Sequence, residues 1–260
     1  MRFLTVVAVV CLFVALAVCP ACAQGPVTLV DGNSTFTVDP TSDSGATVWT
    51  LDDIDQLFQQ QWYYRLADGQ VLSINNLGTP VVNLAAGGQS VDVKYQANSF
   101  DVTLAYTLYG GAAGSSASDV SEIFRIQNTS DCTLYFDLFE YSDFNLQPLD
   151  NDDYAAHVNA NAISQWDGTH VVTESVVRTP DHWQIGNPFV ITGDLSDGAA
   201  FIGPTDCAWA FQWNLVVPTG GSVVFSKDKA FTTSIPEPMS VVLGIMGLSA
   251  VSGFRRLRRK

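Results

Sequence analysis

From Phe100 to Leu108 every second residue is large and apolar: Phe100, Val102, Leu104, Tyr106 and Leu108. Asp101, Thr103, Ala105 and Thr107 fall between them. A period of two is the signature of a strand with one dry face and one wet face, and it excludes an amphipathic helix there. The pattern recurs at Trp209, Phe211, Trp213, Leu215 and Val217, and at Cys132, Leu134, Phe136 and Leu138, with Phe139 and Tyr141 on the opposite face. Shorter cases are Val91–Tyr95 and Phe124–Ile126. Asp-Gly at 31–32, 68–69, 167–168 and 197–198, and Gly-Gly at 87–88, 110–111 and 220–221, punctuate the runs. Such pairs supply the positive φ that tight hairpins need. Many short strands with frequent turns predict a mainly β chain, folded as an antiparallel β-sandwich. One segment reads differently. Thr50–Asp53 resembles a helix cap, and Ile54, Leu57, Phe58 and Trp62 follow at helical spacing, which predicts the single helix of this region. Asp52, Asp53 and Asp55 then fall in its first turn. The run Gln59–Tyr64 fits a strand as well.

Charge divides the chain into three parts. The formal net charge is −14, but five of the 12 Lys and Arg residues, Arg255, Arg256, Arg258, Arg259 and Lys260, close the sequence, and another is Arg2. Residues 24–235 keep six basic groups against 25 acidic ones. A surface so poor in cations excludes nucleic acid as a partner, because phosphate binding needs positive charge. The same region is rich in Val, Phe, Tyr and Trp and forms one domain with ample length for a core; no linker or repeat divides it.

The two ends read as addresses. Residues 1–23 carry Arg2, an apolar run from Phe3 to Val18, and Ala21-Cys22-Ala23, the pattern of a signal peptide cut by signal peptidase. Lipidation at Cys19 or Cys22 is the weaker alternative. Residues 236–260 open with Pro236-Glu237-Pro238, continue as an uncharged apolar stretch to Phe254, and end in the basic cluster. About 20 helical residues reach roughly 30 Å, the thickness of a bilayer core. The expectation is a single C-terminal transmembrane helix with its basic end on the cytoplasmic side. This order of Pro-Glu-Pro, apolar helix and Arg cluster resembles the PEP-CTERM sorting segment of bacterial exported proteins. The resemblance covers the last 25 or so residues. It implies processing by an exosortase near the Pro-Glu-Pro and association with extracellular polysaccharide, hence a cell-surface or matrix location.

Candidate sites in residues 24–235 rest on residue chemistry alone. Cys132 and Cys207 are the two cysteines left after the leader, and export makes them a candidate disulfide; two buried thiols are the alternative. Asp150, Asp152 and Asp153, with Asn151, form the densest oxygen cluster, either a calcium site or a solvated acidic turn. No other cofactor is expected. Trp166, beside an Asp-Gly turn, and Trp183, between His182 and Gln184, are candidates to stack on a sugar ring. Trp209 and Trp213 read as core. No nucleophile elbow, P-loop, dinucleotide fingerprint or zinc-protease motif is present. Glu122, Glu140 and Glu174, the only glutamates of the region, could supply the paired carboxylates of a glycosidase. The expected function is a non-enzymatic surface or matrix protein. The alternatives are a carbohydrate-binding module, calcium-assisted or not, and a polysaccharide hydrolase or lyase.

Overall fold

A computed structural model describes residues 25–67, 69–146, 152–168 and 170–232. Among them are 18 strands and one short 3-10 turn, Ile74–Leu77. The strands are β1 (Val27–Asp31), β2 (Ser34–Val38), β3 (Ala46–Leu51), β4 (Ile54–Asp55), β5 (Leu57–Leu66), β6 (Leu72–Ser73), β7 (Val81–Leu84), β8 (Ser90–Gln96) and β9 (Phe100–Gly110). They continue as β10 (Ser118–Asn128), β11 (Leu134–Phe144), β12 (Asp153–Asn159), β13 (Ala162–Asp167), β14 (His170–Val176), β15 (His182–Gly186), β16 (Phe201–Thr205), β17 (Ala208–Val217) and β18 (Ser222–Thr232).

These form two antiparallel sheets. The first runs β1-β2-β3-β5-β11-β17-β15, with β4 on β3 and β6 on β5. The second runs β16-β12-β13-β14-β18-β10-β9-β8-β7. Their facing sides bury the alternating residues. Trp49, Trp62, Trp209 and Trp213 are at most 1% exposed, and Phe36, Phe100, Phe124, Phe136, Phe144 and Phe211 fill the space around them. The expected turns appear where the Gly pairs allow them: Gly32, Gly88, Gly168 and Gly220 all have positive φ, between 51° and 71°. The outer side of the first sheet is itself covered. Phe139, Tyr141, Ala208 and Ala210 pack beneath Phe189, Ile191 and Leu195. Arg65 ties that strap down, with Nη2 2.6 Å from both Asp137 and Asp194.

Two expectations are corrected here. The segment after Thr50 is not a helix. Asp52 and Asp53 adopt φ of 47° and 68°, which turns the chain back so that Leu51 pairs with Ile54. The apolar residues then continue as β5. The helical spacing of Ile54, Leu57, Phe58 and Trp62 was coincidental, since Phe58 and Ile54 are exposed while Leu57 and Trp62 are buried. Asp52 is a loop acceptor: its carboxylate takes backbone N–H bonds from Gly114 and Ser116 at 2.5 and 3.0 Å.

The second correction concerns Cys132 and Cys207, which are both free thiols. Cys132 precedes the first residue of β11, whereas Cys207 precedes Ala208, whose partner Asp143 lies at the far end of β11. About ten residues at about 3.4 Å each separate them, far beyond the Cα distance a disulfide spans. Cys207 is the buried thiol, pushed up to about 12 by burial and by nearby Asp153, Asp206 and Asp143.

No helix among the described residues is long and apolar enough to cross a membrane. The signal peptide, Pro236-Glu237-Pro238 and the basic cluster Arg255–Lys260 lie outside the described residues.

Candidate functional site

Two regions concentrate chemistry, one inside the sandwich and one on its surface. The inner one follows from the same alternation that makes the core. On β18, Phe225, Lys227, Lys229 and Phe231 share the inward face. On β10 the inward set is Val120, Glu122, Phe124 and Ile126, on β14 Val172, Glu174 and Val176, and on β11 Phe136, Leu138, Glu140, Ser142 and Phe144. Glu122 stands directly across from Lys227, and Glu174 across from Lys229. Glu140 reaches in from the opposite sheet.

The five side chains meet at hydrogen-bond distances. Lys227 Nζ lies 2.6 Å from Glu140 Oε1 and 3.2 Å from both Glu122 Oε1 and Glu174 Oε1. Lys229 Nζ donates to Glu140 Oε1 at 3.0 Å. Gln60 Nε2 donates to both oxygens of Glu122, at 2.7 and 2.8 Å, and Trp62 Nε1 adds a bond at 3.1 Å. Trp209 Nε1 donates to Glu174 Oε2 at 3.0 Å. All five ionisable groups are at most 1% exposed. Removing charges from water is costly unless partners replace it, and here nearly every oxygen has a partner. With three carboxyls and two ammonium groups, one carboxyl proton balances the site. Burial and the neighbouring Glu140 raise Glu174, making it the proton's holder. Burial pushes Glu140 the same way, but Lys227 and Lys229 outweigh it and hold Glu140 down. The three glutamates considered for glycoside hydrolysis are thus together, but sealed from any polymer.

A second polar pocket lies at the start of β12. Asp153, expected as a calcium ligand, points inward at 1% exposure. Its Oδ2 accepts a short hydrogen bond from Gln165 Nε2. Burial pushes it up to about 7 despite that bond, with the charges of Asp167 and Asp152 adding to the rise. Asp152 is exposed, and Asp150 lies outside the described residues. Asp152 and Asp153 therefore differ, one exposed and one buried, because β12 begins at Asp153. No group of three His, Cys, Asp or Glu residues among the described ones is arranged to hold a metal.

On the outer surface, β12, β13 and β16 bring three rings together. Tyr154 pairs with Trp166, and Ala156 pairs with both Ser164 and Phe201. The period of two places these on the outward face, while Ala155, Ile163 and Gln165 face in. Tyr154 and Trp166 lie parallel, with centroids 5.8 Å apart and planes 13° apart. Phe201 lies 6.1 Å from each and is 55% exposed. Cross-strand aromatic pairs of this kind hold their rings rigid. Trp166 is thus on a strand, not in the loop, and it leans on a Tyr and a Phe that the sequence did not connect to it. Asp167, next along β13, falls on the opposite face, towards Asp153, and Asp152, two residues before Tyr154, is exposed.

Trp183 belongs elsewhere. It stacks on His157, with centroids 4.1 Å apart, where β15 meets the inward side of β12. Its backbone N–H donates to Asp197 Oδ1 at 2.9 Å, and Asp197 Oδ2 lies 2.6 Å from His182 Nδ1. Burial lowers the His157 pKa, and Asp197 offsets part of that. Tyr154 and His157 are on opposite faces of β12, so the two candidate sugar contacts do not share a site. Trp209 and Trp213 are core, as expected.

No protein-family model matches the sequence, and no curated protein does. Solved structures do match in fold. A bacterial glucoamylase complexed with acarbose superposes with a TM-score of 0.61 at 10% identity, covering 86% of this chain and 34% of that one. An aldose epimerase homologue from C. elegans gives 0.55 at 8% identity, over 82% and 100%. A polysaccharide lyase gives 0.52 at 11% identity, over 79% and 33%. The chain spans about a third of the glucoamylase's length. At these identities the likeness establishes a shared two-sheet fold.

Proposed function

We propose that this is an exported surface or matrix protein whose sandwich binds a glycan at the Tyr154–Trp166–Phe201 surface, without turnover. The observation that carries the reading is the aromatic cluster on the outer face: a parallel, half-buried Tyr–Trp pair extended by an exposed Phe. Sugar rings present apolar C–H faces to such surfaces and hydroxyls to their polar rim. The fold is shared with proteins named for acting on sugars, which supports a glycan over other ligands. Residues 24–235 carry 25 acidic against six basic groups, so a neutral polysaccharide is favoured over an anionic one. Signal peptidase would release residues 1–23. The segment 236–260 would hold the chain in the membrane for an exosortase and leave the sandwich outside.

Calorimetric titration of the purified chain tests this against a neutral glucan and an anionic uronan, each with calcium and then with a chelator. Saturable heat with the neutral glucan, unchanged by chelator, is the expected result. Heat abolished by the chelator would restore calcium to the site. New reducing ends or unsaturated products in the incubated polysaccharide would replace binding with a hydrolase or lyase.

A further inference from the structure

The sealed cluster holds the parts of an amide-forming site. Lys229 offers an amine 3.0 Å from Oε1 of Glu140. The other oxygen, Glu140 Oε2, is buried and has no hydrogen-bond partner. The same Oε1 is held at 2.6 Å by the ammonium of Lys227. Ser142 Oγ links the two acids, 2.8 Å from Glu140 Oε1 and 3.1 Å from Glu174 Oε2. We infer that Lys229 and Glu140 condense after folding into an intramolecular isopeptide bond that ties the two sheets together.

The step balances without any co-reactant. Glu174, which holds the cluster's proton, passes it through Ser142 Oγ to Glu140 Oε1 and takes one from Lys229, 3.6 Å from its Oε2, leaving a neutral amine and a carboxylic acid. Nζ attacks Cδ, and the C=O π pair moves onto Oε2. The newly bonded nitrogen sheds a second proton to Glu174 as Glu174 passes the first on through Ser142. Oε1, held by the Lys227 ammonium, then leaves as water while the π bond re-forms, and Glu174 ends protonated as it began. The products are one amide and one water, and one cation and one anion disappear together. Lys229 Nζ already lies 3.0 Å from an oxygen of the carboxyl that it attacks, and exclusion of water protects the amide from hydrolysis.

The choice of nucleophile follows from the neighbours. Lys227 faces all three carboxylates within 3.2 Å and stays charged. Lys229 is close only to Glu140, at 3.0 Å, with Glu174 and Glu122 at 3.6 and 3.8 Å; burial and the adjacent Lys227 outweigh their pull and bring its free amine nearer. The bond would close a loop of 89 residues between β11 and β18, in a chain whose two described cysteines are unbridged.

Mass spectrometry of the full chain, purified in detergent, denatured and digested, tests the bond. The expected product is a branched peptide joining the Glu140 segment to the Lys229 segment, one water (about 18 Da) lighter than the two linear peptides. Cleavage after Lys229 should be absent. Two linear peptides, or a branch through Lys227 or Glu122, would overturn the inference. Glu174→Gln keeps the side chain's shape but cannot carry the proton. It should slow the reaction about a hundredfold and leave freshly made protein mostly unlinked. Full linkage in that variant would remove Glu174 from the mechanism.

Discussion

The interior cluster and the outer aromatic surface differ in a way that composition conceals. Inside, five ionisable groups lie within hydrogen-bond reach, and none touches solvent. Outside, three rings are wholly or partly open to solvent, and exposed Asp152 lies two residues from the first of them. The richer chemistry is in the sealed place and serves the protein itself. The poorer chemistry is in the open place and is available to a ligand. Access, set by which face of a strand a residue occupies, separates the two more sharply than the kind of side chain does.

Substitutions should divide along that line. Lys227→Met removes the buried cation that faces Glu122, Glu140 and Glu174. It should cost about 3–5 kcal/mol of stability, the range for stranding buried charges, measured by urea denaturation; a loss under about 1 kcal/mol would mean that water reaches the cluster. Trp166→Ala should leave the melting temperature nearly unchanged but weaken glycan affinity about tenfold, the equivalent of about 1.4 kcal/mol. Loss of stability without loss of affinity there would make the ring mere packing.

The pH dependence sharpens the contrast at the Asp153 pocket. The folded state raises Asp153 from its ordinary value of 3.8 to about 7, and Asp143 to about 6, through burial. A carboxyl raised by folding favours the native state when protonated. Stability from these two groups is therefore complete below about pH 4 and lost as pH rises through 6 to 7. Asp153→Asn should flatten that limb and stabilise the protein more at pH 8 than at pH 5, as thermal melts across pH would read. The smallest effect belongs to Cys132. Being exposed and unbridged, it should tolerate Ser with a change within about 0.5 kcal/mol, and reductant should not shift the melt.

Much of the fold was legible because alternation is a direct imprint of a two-faced strand. Phe100–Leu108 and Trp209–Val217 became β9 and β17 with the expected faces buried. The same rule, applied to Val120-x-Glu122-x-Phe124 and Phe225-x-Lys227-x-Lys229-x-Phe231, would have placed the charges inside. It is easily set aside there, because a charged residue reads as solvated until a partner on another strand is known. The partners of Glu140 come from a different sheet, which local pattern cannot reveal. The helix expected after Thr50 failed because two adjacent Asp residues with positive φ reverse the chain, a turn usually marked by Gly or Asn. The disulfide failed because cysteine count carries no distance. Trp166 was singled out by residue type alone, and its neighbours Tyr154 and Phe201 come together only through the register of β12 with β13 and β16.

The most direct measurement compares Trp166→Ala and Glu122→Gln in a single calorimetric titration series against the same neutral polysaccharide, with folding checked by circular dichroism. If the open surface is the binding site, Trp166→Ala loses most of its affinity and keeps its stability, while folded Glu122→Gln binds like the unaltered protein and melts earlier. Undiminished binding by Trp166→Ala, or loss of binding by folded Glu122→Gln, would contradict it.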